Sequence, residues 1–271
     1  MKPVFYDGNG LKKKLKKDRE ERLVRETLRY LSVRDSGNAD EELKEKIRKC
    51  LSILQKTCTP KHVYRIFPIS VEGQGEESRI CTEGGSEGCT SLPHVPKSCR
   101  VLIGDAVFES RDLSYNLSGC TKAALLSCTL GEEADRLIRR AQVTSMADAA
   151  VYQAACAAWI EDYTDGVNAG ISEEAEKAGF LTRPRYSPGY GDLKLESQRD
   201  FFRLLNVNKA IGVTLTEGLL MVPEKTVTAF IGFCPKKETE DRPAPEKEAE
   251  DKIAPEIETE DKTAPERAPL A

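Results

Sequence analysis

The stretch Arg183-Pro184-Arg185-Tyr186-Ser187-Pro188-Gly189-Tyr190-Gly191-Asp192 can belong to no regular element. Its prolines remove amide donors and fix φ, while its glycines admit backbone angles that other residues avoid. The residues between them carry chemistry. Arg185 presents a planar fork matched to a carboxylate. Backbone amides around Ser187, Gly189 and Tyr190 are candidates to face a small polar ligand, and the Tyr190 ring suits a cation or a purine. A purely structural turn would use the same composition, so both readings stand at this level.

Regular elements are predicted on either side. Downstream, Leu195 to Leu205 reads as a helix, and Ile211–Leu215 and Thr226–Ile231 read as two closing strands. Upstream, a helix from about Met146 to Tyr163 is dense in alanine at positions 147, 149, 150, 154, 155, 157 and 158. Small side chains let another backbone approach closely, which predicts a central place for it. Before it stands a compact unit: Ala123–Cys128 as a strand, Thr129-Leu130-Gly131 as a turn, and Glu132–Ala141 as a helix. Val101–Val107 reads as a strand or buried segment, and Leu113–Leu117 as a short amphipathic helix. Glu72 to Ser98, rich in Gly, Ser and Glu, reads as a mobile surface excursion.

The first third is helical. Leu23, Leu28 and Leu31 share one side of a first helix, and Leu43, Ile47, Leu51 and Leu54 one side of a second. Asp40 is placed to cap the second, Thr59-Pro60 ends it, and Val63–Ile69 follows as a strand. At the other end, Glu238–Lys247, Glu248–Ile257 and Glu258–Arg267 are copies of one ten-residue repeat, each holding Ala-Pro-Glu. With so little apolar surface, these copies predict a disordered, extended tail. The expected organisation is therefore a helical region over 1–62 packed on a main domain over 63–234, followed by an acidic tail over 235–271.

Charge narrows the function classes. The net charge is −4, and Lys236–Ala271 alone holds 12 acidic against 7 basic residues. The rest of the chain is close to neutral, which argues against nucleic-acid binding by bulk charge. No apolar run approaches the roughly 20 residues of a membrane span. No export signal is evident, and nine cysteines is an odd count for a disulfide framework. A cytoplasmic protein with reduced thiols is expected.

Other candidate chemistry is thin. Thr129-Leu130-Gly131-Glu132 lacks the glycines and the Gly-Lys-Ser/Thr of a phosphate loop, so a capping turn is the better reading. Cys81, Cys89 and Cys99 contain no Cys-x-x-Cys spacing, and no metal site is predicted. Neither His62 nor His94 stands in an Asp-x-His-x-x-Gly or a triad setting, which leaves little support for acid–base catalysis by histidine.

Arg185-Tyr186-Ser187-Pro188-Gly189-Tyr190 resembles the Arg-x-x-Pro-Gly-Tyr signature of the activation domain of cobalamin-dependent methionine synthase. Its continuation, Gly191-Asp192-Leu193 with Gln198 beyond, is similar to stand-alone members of that family. So are Ile211–Glu217 with Met221-Val222-Pro223, the strand at Val227-Thr228-Ala229, and the unit from Cys120 through Gly131. The resemblance spans about residues 20 to 233.

The resemblance implies an α+β fold, a twisted and mainly antiparallel sheet flanked by helices. It implies binding of S-adenosylmethionine, whose methyl group is presented to cob(II)alamin on a partner while an electron donor reduces the cobalt. The partner would be a corrinoid protein or a truncated methionine synthase, the donor flavodoxin-like or iron–sulfur, and cobalamin would enter only through the partner. By the same implication Arg185 holds the methionine carboxylate, and Ser187, Pro188, Gly189 and Tyr190 line the cofactor. The family's central helix contributes a glutamate near the ligand amine, and the matching place here is expected at Tyr152 or Gln153. Neither is acidic, so a docking adaptor of the same fold that has lost the cofactor is the alternative. The chain has no room for the other modules of methionine synthase, and an accessory factor is expected.

Overall fold

A computed structural model describes residues 4–6, 17–33, 40–72 and 99–236. In chain order the elements are β1 (Val4–Tyr6), α1 (Lys17–Tyr30), α2 (Glu41–Thr57), β2 (Lys61–Glu72), β3 (Arg100–Ile103), β4 (Ala106–Glu109) and α3 (Arg111–Asn116). They continue with β5 (Lys122–Thr129), α4 (Glu132–Thr144), α5 (Met146–Lys177), β6 (Phe180–Thr182), a 3-10 turn at Leu195–Ser197 and α6 (Gln198–Leu205). Last come α7 (Val207–Ile211), β7 (Thr214–Leu215), β8 (Met221–Val222) and β9 (Thr226–Pro235). Among the described residues no helix is long and apolar enough to cross a membrane.

The strands form one sheet in the order β4-β3-β2-β5-β9-β6, with β1 also on β2 and β7-β8 a separate pair. Every pairing is antiparallel. The expected α+β class with an antiparallel sheet is what the chain adopts.

Continuous burial of β5 explains its unbroken apolar sequence: successive side chains leave opposite faces of a strand, and both faces are covered. Ala124, Leu126 and Cys128 join a core built with α1, α2, α4 and α5. Ala123 and Leu125 join a second core with Phe108, Leu113, Phe201, Val207 and Phe230. There Phe230 receives Phe108 and Phe201 edge-on, with ring centroids 5.1 Å away in each case.

Helix α5 is the axis of the first layer. Ala149, Ala154, Ala155 and Ala158 are buried, and α1, α2, α4, β5, β6 and β9 all contact the helix. It continues past the expected end at Tyr163 to Lys177, because Val167, Ile171 and Ala175 keep an apolar stripe at helical spacing. Asp40 caps α2, its carboxylate accepting from the Glu42 amide at 3.0 Å.

The strand expected over Ile211–Leu215 is corrected. Val207 and Ile211, four apart and buried, form a turn of helix, Gly212 at φ 76° ends it, and only Thr214–Leu215 is extended. The segment read as Leu195–Leu205 helix opens with a 3-10 turn. The excursion after Glu72 and the repeat tail after Lys236 lie outside the described residues.

Candidate functional site

Strand β9 is covered unevenly. Along one edge β5 pairs with all of Thr226–Phe233. On the other edge β6 reaches only Phe233–Pro235, and Tyr186 adds a two-way bridge to Phe230 at 2.7 and 3.0 Å. A cleft of about 560 Å³ opens beside the remaining edge, lined by Thr226, Val227 and Thr228 together with Glu161, Arg185, Tyr186, Ser187, Pro188, Tyr190, Leu195, Gln198 and Met221. Its size falls within the range of small-molecule sites.

Contacts of its own hold the turn at 186–192. The Tyr186 hydroxyl donates to the Tyr190 carbonyl at 2.9 Å. The Gly189 and Tyr190 amides donate to the carbonyls of Leu193 and Ser187 at 2.9 and 3.2 Å. Asp192 caps α3, accepting from the Arg111 and Asp112 amides at 2.8 and 3.2 Å and from the Ser110 hydroxyl. Burial works against this carboxylate, but the Ser110 hydroxyl and the two amides outweigh it and hold its pKa below the ordinary value. Gly191 sits at φ 52°, and a Cβ there would fall on Asp112 Oδ2 and within 2.6 Å of the Tyr186 hydroxyl. Only glycine fits.

Of the residues singled out in the sequence, Arg185, Ser187, Pro188 and Tyr190 line the cleft, Tyr190 being 66% exposed. Gly189 shapes the turn from outside the lining. The amides of Gly189 and Tyr190, expected to face a ligand, are committed inside the turn, because a loop this tight satisfies its own backbone.

Gln153 is not brought to this cleft. It lines a separate small depression with Asp135, Arg139 and Glu224, and Tyr152 packs on the helix-side core. The acidic residue that α5 does present is Glu161. Arg185 Nη2 donates to Asp165 at 2.6 Å and to Glu161 at 3.3 Å. Eight residues at about 1.5 Å of rise separate Gln153 from Glu161 by roughly 12 Å along the helix. Ending the predicted helix at Tyr163 hid the Glu161/Asp165 pair, whose i,i+4 spacing on one face was the available signal.

Gln198 and Thr228 also line the cleft. Both are buried, and Gln198 Nε2 donates to Thr228 Oγ1 at 2.8 Å. Gln198 Oε1 is buried without a hydrogen-bond partner. Gln198 enters the sequence reading only as part of the resemblance to stand-alone family members, without a role at the cleft. A second cleft, of about 460 Å³, shares Glu161 and Tyr190 with the first and is walled by Arg22, Glu26 and Tyr30 of α1.

Histidine and cysteine take no part in the lining. His62 Nδ1 lies 2.8 Å from the Tyr163 hydroxyl, and burial lowers its pKa. Burial pushes the thiols of Cys50, Cys58 and Cys128 up to about 12, as suits inert packing residues. Cys81, Cys89 and His94 lie outside the described residues. Among the described residues no three His, Cys, Asp or Glu side chains are grouped to hold a metal.

Comparison with known proteins bears on the fold and on the segment that carries the turn. Residues 172–239 match the family model described as vitamin B12 dependent methionine synthase, activation domain. No curated protein sequence matches the chain. Among solved structures, the crystal structure of the MetH reactivation domain bound to AdoHcy aligns with a TM-score of 0.53 at 14% identity, covering 88% of this chain and 79% of that one. At this identity the likeness shows the fold. The chain thus shares the fold of a MetH reactivation domain, and over residues 172–239, which include Arg185, its turn, Gln198 and β9, it resembles the activation domain of vitamin B12 dependent methionine synthase.

Proposed function

We propose that this protein binds S-adenosylmethionine in the cleft beside β9 and serves as an activation component for a separate corrinoid protein, such as a methionine synthase lacking this module. The observation that carries the reading is the pairing of Arg185 with Glu161 in one open cleft, beside an exposed tyrosine. An α-amino acid brings one carboxylate and one ammonium. Among the described residues Arg185 commits only Nη2, so its other N–H groups can take the carboxylate. Glu161, 45% exposed, can take the ammonium. The Tyr190 ring and the Glu161/Asp165 carboxylates suit a sulfonium cation nearby.

When bound, S-adenosylmethionine supplies an electrophilic methyl group. The residues of the chain hold and orient it, and the preset turn means that little ordering cost falls on binding. Such a reaction asks for no protein acid or base, which fits a cleft without histidine or cysteine among its lining residues. In this reading cobalamin is carried by the partner, a flavodoxin-like or iron–sulfur protein provides the electron, and the assembly works in the cytoplasm.

The adaptor reading draws on one observation: Arg185 is already paired with Asp165 at 2.6 Å. Titration calorimetry of the full chain with S-adenosylmethionine separates the two. Saturable binding supports the activation reading, and no heat at millimolar ligand leaves the adaptor.

A further inference from the structure

An orphaned acceptor in the wall of an otherwise well-bonded cleft requires an explanation. Gln198 is 3% exposed, its Nε2 is taken by Thr228, and its Oε1 has no partner. A buried carbonyl oxygen without a donor is destabilising unless something else supplies one. The surroundings say what kind of donor fits. Gln198 begins α6, on the opposite face of the sheet from α5, so the cleft wraps the open edge of β9 with Arg185 and Glu161 at one end and Gln198 and Thr228 at the other. The charged end satisfies an amino acid zwitterion. The lining also holds apolar Leu195, Met221 and Pro188, which suits a flat heteroaromatic ring, and a thioether packs well against one. Thr228 Oγ1 accepts from Gln198 and therefore keeps its own proton to donate. The soft terminal torsion of glutamine lets its amide turn toward a ligand.

We infer that Gln198 and Thr228 read the edge of a nucleobase that presents an amino donor beside a ring-nitrogen acceptor, which is the pattern of adenine. Gln198 Oε1 accepts from the exocyclic amine, and the Thr228 hydroxyl donates to a ring nitrogen. The inference rests on the proposed function and adds what selects the base. It makes Gln198 a specificity-determining residue at the end of the cleft remote from the transferable methyl group.

The test is calorimetry on the full chain with S-adenosylhomocysteine and S-inosylhomocysteine, in which a carbonyl replaces the exocyclic amine. Wild type is expected to prefer the adenosyl ligand by roughly 10- to 100-fold, because the inosyl oxygen faces another acceptor. Gln198→Ala should bind the adenosyl ligand about tenfold more weakly and lose most of that preference. Equal wild-type affinity for the two ligands overturns the inference without touching the proposed function, and this arm needs no variant to fold. Undiminished preference in a folded Gln198→Ala overturns it as well. If wild type binds neither ligand, the proposed function fails and this inference with it.

Discussion

Two arginine–carboxylate groups sit within one turn of α5 and are built in opposite ways. Asp162 is closed: its side chain is 5% exposed, and Arg19 and Arg22 of α1 each bond one of its oxygens, Arg19 Nε adding a contact at 2.8 Å. Glu161 and Asp165, one residue before and three after, are open: both converge on a single arginine nitrogen and are 45% and 62% exposed. The closed group has two cations for one anion, all supplied by the chain, and ties one helix to another. In the open group two carboxylates outnumber one guanidinium whose remaining N–H groups point to no described partner. The same chemistry thus ties helix to helix where it is complete and buried, and leaves donors and acceptors open to solvent where it is incomplete and wet.

The largest effect should come from the closed group. Asp162→Ala leaves two arginines facing a buried site and loosens α1 from α5. Breaking a fully buried pair costs about 3–5 kcal/mol, and because Arg22 is 53% exposed the expected loss here is about 2–4 kcal/mol. Urea denaturation measures it, and a change within experimental error would show that Asp162 is no lock. Next comes the open group. Arg185→Ala should weaken S-adenosylmethionine binding by about 1.5–3 kcal/mol, the scale of a hydrogen bond to a charged group, while the thermal midpoint barely moves. A folded variant with wild-type affinity would remove Arg185 from the binding site.

The contrast also explains what the sequence could and could not tell. The apolar β5 and the irregular Arg185–Asp192 turn were legible, because each follows from local composition or patterning, whereas the α+β class came only with the family resemblance that the Arg185–Tyr190 motif carries. The motif pointed to Arg185 and Tyr190, which do line the cleft. Glu161 and Gln198 were not legible as site residues. Their importance depends on which side of α5 meets the turn and on where β9 is left uncovered, and both are tertiary facts. The acid that α5 presents to the cleft, Glu161, lies about two helical turns beyond position 152. Ile211 was misread as strand because a five-residue apolar stretch does not reveal its period until Gly212 is seen to end a helical turn.

A third substitution asks whether the open cleft is shaped by the fold or by its ligand. Gly191→Ala places a Cβ at φ 52° against the Tyr186 hydroxyl. The left-handed conformation alone costs an ordinary residue about 1–2 kcal/mol, and the clash with Asp112 Oδ2 adds to it, so a thermal melt without ligand should show at least that loss. An unaltered melt would mean that the turn is soft and is ordered only on binding.

The smallest effect belongs to the closed side and appears only on acidification. His62 is buried beside Tyr163, the residue after Asp162, and burial lowers its pKa below the ordinary 6.5. The folded state therefore holds this imidazole neutral, while in the unfolded chain it protonates first as the pH falls. Below about 6.5 the unfolded state binds the extra proton, so the stability that His62 contributes above that value declines as the pH drops through its lowered folded value. Urea midpoints measured on both sides of that window should fall toward acid for wild type, and His62→Asn should flatten the slope. The cleft makes a separate demand: its lining includes no histidine, so the contribution of Arg185 to ligand binding should hold steady while the midpoint falls. A loss of Arg185-dependent affinity in step with the midpoint would couple the two regions, and the division between closed lock and open cleft would then have to be abandoned.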